Sequence, residues 1–167
     1  MKRLIIACSL LLFLGITSLG ATTLGGRVVG VFDIQPHTGI DTDTDFDATI
    51  GAGISIYGRF DFFEFGKCKL GTRPEVGIYF PLQSSGDSLN PLFLTVPIWL
   101  NIDLSEKLDL GIGLGFEIMR FAPILDIAVS FNAGPGKLVI NPSCAFIMSG
   151  DYFRLFTLVG VGYQYAF

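Results

Sequence analysis

The sequence predicts an all-β protein, an eight-stranded antiparallel up-and-down transmembrane β-barrel. Three observations carry this prediction. Half of the 167 residues are hydrophobic, and the mean hydropathy of +0.59 is high for a soluble domain. Beyond residue 20, no apolar run reaches roughly 18 residues, the length expected of a membrane helix. The apolar residues instead alternate with polar residues and with many of the 21 glycines, a pattern typical of membrane-spanning strands.

The first 20 residues have the pattern of a secretory signal peptide. Lys2 and Arg3 precede an apolar segment, Leu4–Ile16, which small residues follow. We expect cleavage after Gly20, which leaves residues 21–167 as the barrel domain. The apolar segment is about 13 residues long, too short for an uncleaved anchor. Removing Lys2 and Arg3 from the 11 basic residues leaves nine against 15 acidic ones, so nucleic acid is not an expected partner.

The first two predicted strands flank the longest polar segment of the chain. Leu24–Ile34 places Arg27 and Asp33 on the face opposite its apolar residues. Ala48–Phe62 alternates apolar and small or polar residues along its whole length. The polar segment between them, Gln35–Asp47, predicts a loop.

The next four strands follow the same two-residue period. Lys69–Leu82 and Leu92–Asp103 flank a second polar loop, Gln83–Pro91. Leu108–Met119 sets apolar residues against aspartate, glycine and glutamate, and Leu125–Ala133 follows after a short loop.

The last two predicted strands are Leu138–Met148 and Phe153–Phe167. The first is less regular. In the second, apolar and aromatic residues occupy the odd positions, whereas the even positions include Arg154 and Gly160. An even number of strands places both termini at the same end of the barrel, together with three short turns.

The two faces of the predicted strands distinguish a membrane barrel from a soluble one. A soluble barrel would place the apolar face inside and a lysine- and glutamate-rich face in water. Here the apolar face is almost free of charge, and a lysine or arginine at the midplane of a bilayer would cost about 2–4 kcal/mol. The scattered charged residues of the other face are therefore predicted to point into the lumen: Arg27, Asp33, Arg59, Asp61, Arg73, Glu75, Asp109, Glu117, Asp126 and Arg154.

Two interpretations of these charges stay open. An eight-stranded barrel is just wide enough for its own side chains, and buried charges must pair. The first interpretation is a structural plug of salt bridges. The second is a constricted polar path whose charges gate small solutes.

Four prolines lie inside predicted strands: Pro74, Pro81, Pro97 and Pro142. Each lacks the N–H that a strand donates to its neighbour, and a closed barrel has no free edge where this loss is harmless. Bulges near strand ends are one interpretation. A local break in the wall is the other.

The predicted first loop contains alternating aspartates, namely Asp41, Asp43, Asp45 and Asp47. The pattern is similar to the start of a calcium loop, but Phe46 and Ala52 stand where an EF-hand needs glycine and a bidentate glutamate. We interpret the segment as an acidic loop with at most weak binding of divalent cations. The sequence predicts no structural metal site and no cofactor.

An enzyme would need a catalytic constellation, and none is evident. His37 is the only histidine, and Ser84, Ser85 and Ser88 lie in another predicted loop. Outer-membrane acyltransferases resembling PagP use histidine, aspartate and serine residues of their loops. No local motif joins them, so we expect a protein without catalytic residues. Cys68 and Cys144 have no metal or redox spacing.

The chain ends on Tyr163, Tyr165 and Phe167, and this aromatic end resembles the closing strand of bacterial outer-membrane barrels. With the signal peptide and eight alternating strands, the chain is similar to the small OmpA-, OmpX- and OmpW-like barrels, including spirochaetal ones. The resemblance implies that these three residues form an assembly signal for the barrel assembly machinery. It also implies an outer-membrane location with lipid as partner and both termini in the periplasm.

The resemblance to OmpW implies limited passage of small hydrophobic molecules as the function, with such molecules as ligands. The alternative is a surface-exposed interaction or adhesion protein that acts through its extracellular loops.

Overall fold

The computed structural model of the protein describes residues 22–36, 46–84, 91–149 and 152–167. The predicted signal peptide lies outside them. Among the described residues, no helix has the length and apolar character needed to cross a membrane. The described strands are β1 Thr23–Pro36, β2 Phe46–Phe65, β3 Cys68–Thr72, β4 Glu75–Ser84, β5 Leu92–Ser105, β6 Leu108–Glu117, β7 Ala122–Ala133, β8 Gly136–Ser149 and β9 Tyr152–Ala166.

The strands form one closed antiparallel ring. β1 pairs with β2 on one side and with β9 on the other. β3 and β4 lie one after the other between β2 and β5, and β5 to β9 pair with their neighbours in chain order. The ring therefore has eight strand positions, and the predicted all-β, eight-stranded up-and-down barrel is confirmed. The predicted meeting of the last strand with the first is confirmed as well.

The third predicted strand is continuous in sequence but divided in the structure. β3 ends at Thr72 and β4 begins at Glu75, with Arg73 and Pro74 outside both strands. The prediction of one strand over Lys69–Leu82 is therefore wrong. The physical reason is Pro74, which has no main-chain N–H for the ladder.

Several strand ends also differ from the predictions. β2 continues to Phe65 rather than Phe62. β6 ends at Glu117 rather than Met119, and β7 already begins at Ala122. The earlier end of β6 has a local cause, because the Glu117 carboxylate accepts main-chain N–H groups of Met119 and Arg120 and so stabilises a turn.

Three of the short turns use a left-handed backbone conformation. Gly66 and Gly134 have φ angles of 62° and 64° in the turns after β2 and β7. These angles suit glycine because it has no Cβ. Phe121 has a φ of 51° in the turn after β6, and its side chain is exposed.

The outward and inward faces follow the predicted alternation. Large apolar side chains point outward along the strands, as Ile54, Ile98 and Leu114 show. Such an outer surface is that of a barrel built to face lipid. Inside, Gly111 and Gly113 leave room for Trp99, because a Cβ on either glycine would lie only 2.1 or 2.6 Å from the indole.

Candidate functional site: the barrel interior

The interior changes character from one end of the barrel to the other. We call the end where β1, β4, β6 and β8 finish the loop end, and the opposite end, which carries Thr22 and Phe167, the terminal end. Three layers follow one another from the terminal end: a polar cavity, a network of charged side chains, and a layer of apolar side chains.

The middle layer, which we call the central network, contains Arg27, Arg73, Glu75, Asp126 and Asn141. All five are nearly inaccessible to solvent. Arg27 Nε donates to Glu75 Oε1 at 2.6 Å, and its Nη1 donates to Asn141 Oδ1 at 2.5 Å. Arg73 Nη2 lies 3.4 Å from Glu75 Oε2 and 4.0 Å from Asp126 Oδ2. Two cations thus meet two carboxylates, which removes the cost of leaving any of them buried alone.

Aromatic rings enclose the guanidinium of Arg73. Its Cζ lies 4.3 Å from the ring centroid of Tyr57 and 4.4 Å from that of Trp99. Both distances are within cation–π range, and neither ring is exposed. Arg73 lies in the interruption between β3 and β4, so the break in the wall positions the cation that fills the middle of the lumen.

Asn141 connects the central network to the barrel wall. Its Oδ1 accepts from Arg27 and Arg73, and its Nδ2 donates to Asp126 Oδ1 at 2.5 Å. Nδ2 also donates to the carbonyl of Ile127. Pro142 cannot donate to the β7 ladder, and the β7–β8 register passes from Asp126–Ser143 directly to Val129–Ile140. The Asn141 amide therefore replaces the hydrogen bond that the proline removes.

Between the central network and the loop end lies the apolar layer. Its members are Val29, Val31, Tyr79, Phe93, Ala122, Ile124, Ala145, Phe156 and Leu158. All are 4% exposed or less, and Tyr79 packs against Phe156 with ring centroids 5.8 Å apart. Apolar side chains therefore fill this half of the lumen. The alternation predicted the inward direction of these positions but did not separate apolar from polar residues on the inner face.

Two ion pairs lie beside the apolar layer at the loop end. Arg154 donates to Asp33 through Nε at 2.6 Å and Nη2 at 2.8 Å, a bidentate pair. Arg120 Nη1 lies 3.2 Å from Glu117 Oε1, and its guanidinium carbon lies 4.0 Å from the ring centroid of Phe156.

At the terminal end the lumen widens into a polar cavity of about 550 Å³, which we call the terminal vestibule. Lys137 pairs with Asp109 there, and Lys69 Nζ lies 3.9 Å from Asp103 Oδ2. Its lining residues are Thr23, Arg59, Lys67, Lys69, Asn101, Asp103, Ser105, Glu106, Asp109, Lys137, Gln164 and Ala166.

Eight of the ten predicted lumen charges are buried, Asp61 and Arg154 are half-buried, and the ten are divided among the layers. Arg27, Arg73, Glu75 and Asp126 meet in the central network. Glu117 and the Asp33–Arg154 pair lie at the loop end. Asp109 and the Arg59–Asp61 pair lie at the terminal end. Whether these charges gate solutes stays a prediction.

Several interior residues were missed by sequence reasoning. Asn141 looked like one of several polar strand residues, and only the proline that follows it marks its position as unusual. Arg120 was predicted to lie in a loop, yet its guanidinium turns inward over Phe156. Lys137 belonged to a predicted turn but pairs with Asp109.

Hydrogen bonds close the barrel wall around Pro74 and Pro97. The Pro97 carbonyl accepts from Thr72 Oγ1 at 2.7 Å and from the Arg73 N–H at 3.4 Å. The Pro74 carbonyl accepts from the Gly58 N–H at 3.1 Å. Pro81 lies at a register shift between β2 and β4, where residues 50 and 51 face residues 83 and 81. The bulge interpretation fits Pro81. At Pro74, these hydrogen bonds close the gap between β3 and β4.

The other predicted sites are described only in part. Asp41, Asp43 and Asp45 lie outside the described residues, as do His37, Ser85 and Ser88. Asp47 lies in β2, opposite Gln35. Within the described ranges, no three histidine, cysteine or acidic side chains are grouped to hold a metal ion. Cys68 and Cys144 are free thiols.

Comparisons with known proteins find likeness in structure only. No protein-family model matches the chain, and no curated protein matches it. A de novo designed transmembrane β-barrel has a TM-score of 0.45 at 16% identity, covering 87% of this chain and 97% of the other. Ail, the attachment invasion locus protein of Yersinia pestis, has a TM-score of 0.41 at 13% identity, covering 87% of this chain and 100% of the other. The structure of Ail in a phospholipid bilayer nanodisc has a TM-score of 0.42 at 13% identity, covering 84% of this chain and 99% of the other. These likenesses concern the fold alone.

Proposed function

We propose that the protein is a resident of the bacterial outer membrane whose barrel is a closed anchor rather than a pore, and that it acts through the surfaces at its two ends. The observation that carries this proposal is the filled interior. The central network and the apolar layer follow one another along the axis, and a solute would have to displace both of them.

The outer surface supports the membrane location. Exposed apolar side chains surround the barrel, and the charged side chains of the strands point inward or lie near the ends. Water would not favour so large an apolar surface, whereas a bilayer requires it. The proposed orientation has the terminal end in the periplasm and the loop end outside, where the segments at 37–45, 85–90 and 150–151 connect the strands.

The filled interior favours the interaction function over passage. If the barrel does not conduct, the outer loops are the part of the protein that can meet molecules outside the cell. Limited passage of small hydrophobic molecules is the second candidate, and the apolar layer is the observation that favours it. Such a molecule would find apolar contacts at the loop end but would then meet the buried charges of Arg27 and Arg73.

Liposome swelling tests the closed barrel. We expect vesicles that contain the protein to swell in arabinose no faster than vesicles that contain an unrelated closed barrel. Fast swelling, or uptake of a hydrophobic dye that depends on the protein, would favour passage instead.

Replacing residues 37–45 with a glycine–serine linker of the same length tests the interaction function. We expect the replaced protein to reach normal membrane levels but to lose attachment of expressing cells to extracellular matrix proteins. An equal replacement of residues 85–90 is the matched control for a change of loop. Unchanged attachment after both replacements would contradict a role of these loops.

A further inference from the structure

At the terminal end of the barrel, β2 runs past the beginning of β1. The ladder between the two strands ends at the pair Thr23–Arg59, whereas β2 continues to Phe65. Over residues 60–65, β2 pairs with β3 on one side and, within the described part of the chain, with no strand on the side of β1. We call this side of residues 60–65 the open edge. The main-chain groups along such an edge form a template for one more strand.

A groove lies beside the open edge. Its volume is about 440 Å³, and its lining includes Thr22, Ala166 and Phe167, at the ends of β1 and β9. Phe62 and Phe63 of β2 also line it, and both are exposed. An extended peptide segment suits this surface, because it bonds to the main-chain groups of the edge and packs its own side chains against the rings.

Thr22 sets the direction in which the protein's own chain reaches the open edge. Its N–H donates to the Arg59 carbonyl at 2.8 Å, and its hydroxyl donates to Asp61 Oδ2 at 2.9 Å. Its carbonyl accepts from the Phe167 N–H at 3.1 Å. Thr22 is therefore held by both β2 and β9. Because β1 and β2 are antiparallel, the chain that precedes Thr22 leads along the open edge.

The residues that precede Thr22 have the composition of an added strand. The β1–β2 register, continued beyond Thr22, places residues 17–21 opposite residues 61–65. The sequence of residues 17–21 is Thr-Ser-Leu-Gly-Ala, which has no charge and no proline, so every residue can donate a main-chain N–H. Leu19 falls near the exposed rings of Phe62 and Phe63 in this register.

We propose that residues 17–21, as long as they are joined to Thr22, extend β1 along the open edge, and that the signal peptide must therefore be removed before the barrel folds. The expected cleavage point after Gly20 lies inside this extension. Proteolysis acts on locally opened chain, so a peptide bond that is held in a ladder is cut slowly. This inference does not rest on the proposed function, because it concerns only the order of processing and folding.

Hydrogen exchange followed by mass spectrometry tests the pairing. The full chain and the chain that begins at Ala21 are refolded in the same detergent micelles, and the exchange of the main-chain N–H groups of residues 61–65 is compared. We expect exchange to be at least about tenfold slower in the full chain, because paired amides exchange only when the ladder opens. Equal rates would overturn the proposal. Slow exchange in the shorter chain that depends on protein concentration would overturn it as well, because a second copy of the chain would then occupy the edge.

Two substitutions in the signal peptide locate the effect without touching the barrel. Leu19→Pro removes a main-chain donor inside the extension and should bring the exchange of residues 61–65 in the full chain to the rate of the shorter chain. Leu12→Pro is the matched control, because Leu12 lies in the apolar segment before the extension, and the slow exchange should persist. Equal effects of the two substitutions would show that the register is wrong.

A signal peptidase tests the order of processing and folding. Full chain that is diluted from urea directly into the peptidase should be cut at least about tenfold faster than full chain that is refolded before the peptidase is added. Equal rates of cutting for the unfolded and the refolded chain would contradict the proposed order.

Discussion

The central network and the apolar layer are neighbours inside one barrel, but they fill it by different physics. The central network consists of charged groups that are tolerable in the interior only because each finds its partner, as Arg27 and Glu75 do at 2.6 Å. The apolar layer consists of side chains such as Phe93 and Phe156, which gain from mutual packing and need no specific partner.

The difference predicts how each region responds to substitution. Losing one member of the central network leaves the others charged and uncompensated, so the cost is large and spreads through the network. Losing volume in the apolar layer costs only the lost contacts and the cavity that remains.

Arg73→Ala should have the largest effect. It removes the cation between Tyr57 and Trp99 and leaves Glu75 and Asp126 with one cation fewer. We expect the free energy of unfolding to fall by about 3–5 kcal/mol, the usual cost of breaking a buried pair. Urea unfolding in lipid vesicles measures it.

The control for Arg73→Ala is Lys69→Ala at the terminal end. The Lys69 side chain is 28% exposed and that of its partner Asp103 is 38% exposed, so water screens Asp103 after the substitution. We expect a loss of about 1 kcal/mol or less. Equal losses for the two variants would mean that burial in the central network does not set the cost.

Asn141→Ala should have the second-largest effect. It removes the donor to Asp126 and to the Ile127 carbonyl beside Pro142, so a side-chain contact and the wall are weakened together. We expect a loss of about 2–3 kcal/mol from the unsatisfied buried groups. Asn132→Ala is the control, since Asn132 is exposed and donates to the Glu106 carbonyl; there the same denaturant titration should show little change.

Phe93→Leu should have the smallest effect of the three. Phe93 is fully buried in the apolar layer, and leucine keeps most of its volume and its apolar character. We expect a loss of under about 1.5 kcal/mol, measured by the same unfolding titration. A loss as large as that for Arg73→Ala would show that the apolar layer depends on the identity of its side chains as strongly as the central network does.

The sequence supported the fold better than the site. A period of two residues is a local property, so it predicted the strands and the inward direction of residues such as Arg59 and Glu117. Partners across the lumen depend on how far the strands are staggered around the ring. Arg27 and Asn141 are 114 residues apart on strands that do not pair, and they meet because of that stagger, which no local pattern reveals.

The prolines show the same limit of prediction from sequence. Their positions could be predicted as irregular, because each lacks a donor. Their consequences could not, because Pro74 ends a strand and frees Arg73 to enter the lumen, whereas Pro142 stays in its strand and is compensated by Asn141.

Single-channel recording in planar bilayers tests the closed interior most directly. Wild-type protein should show no conductance steps above those of a bilayer without protein. Arg73→Ala, refolded to the same level, should show none either, because the apolar layer still closes the loop half of the lumen. Steady conductance steps from the wild-type protein would contradict the account.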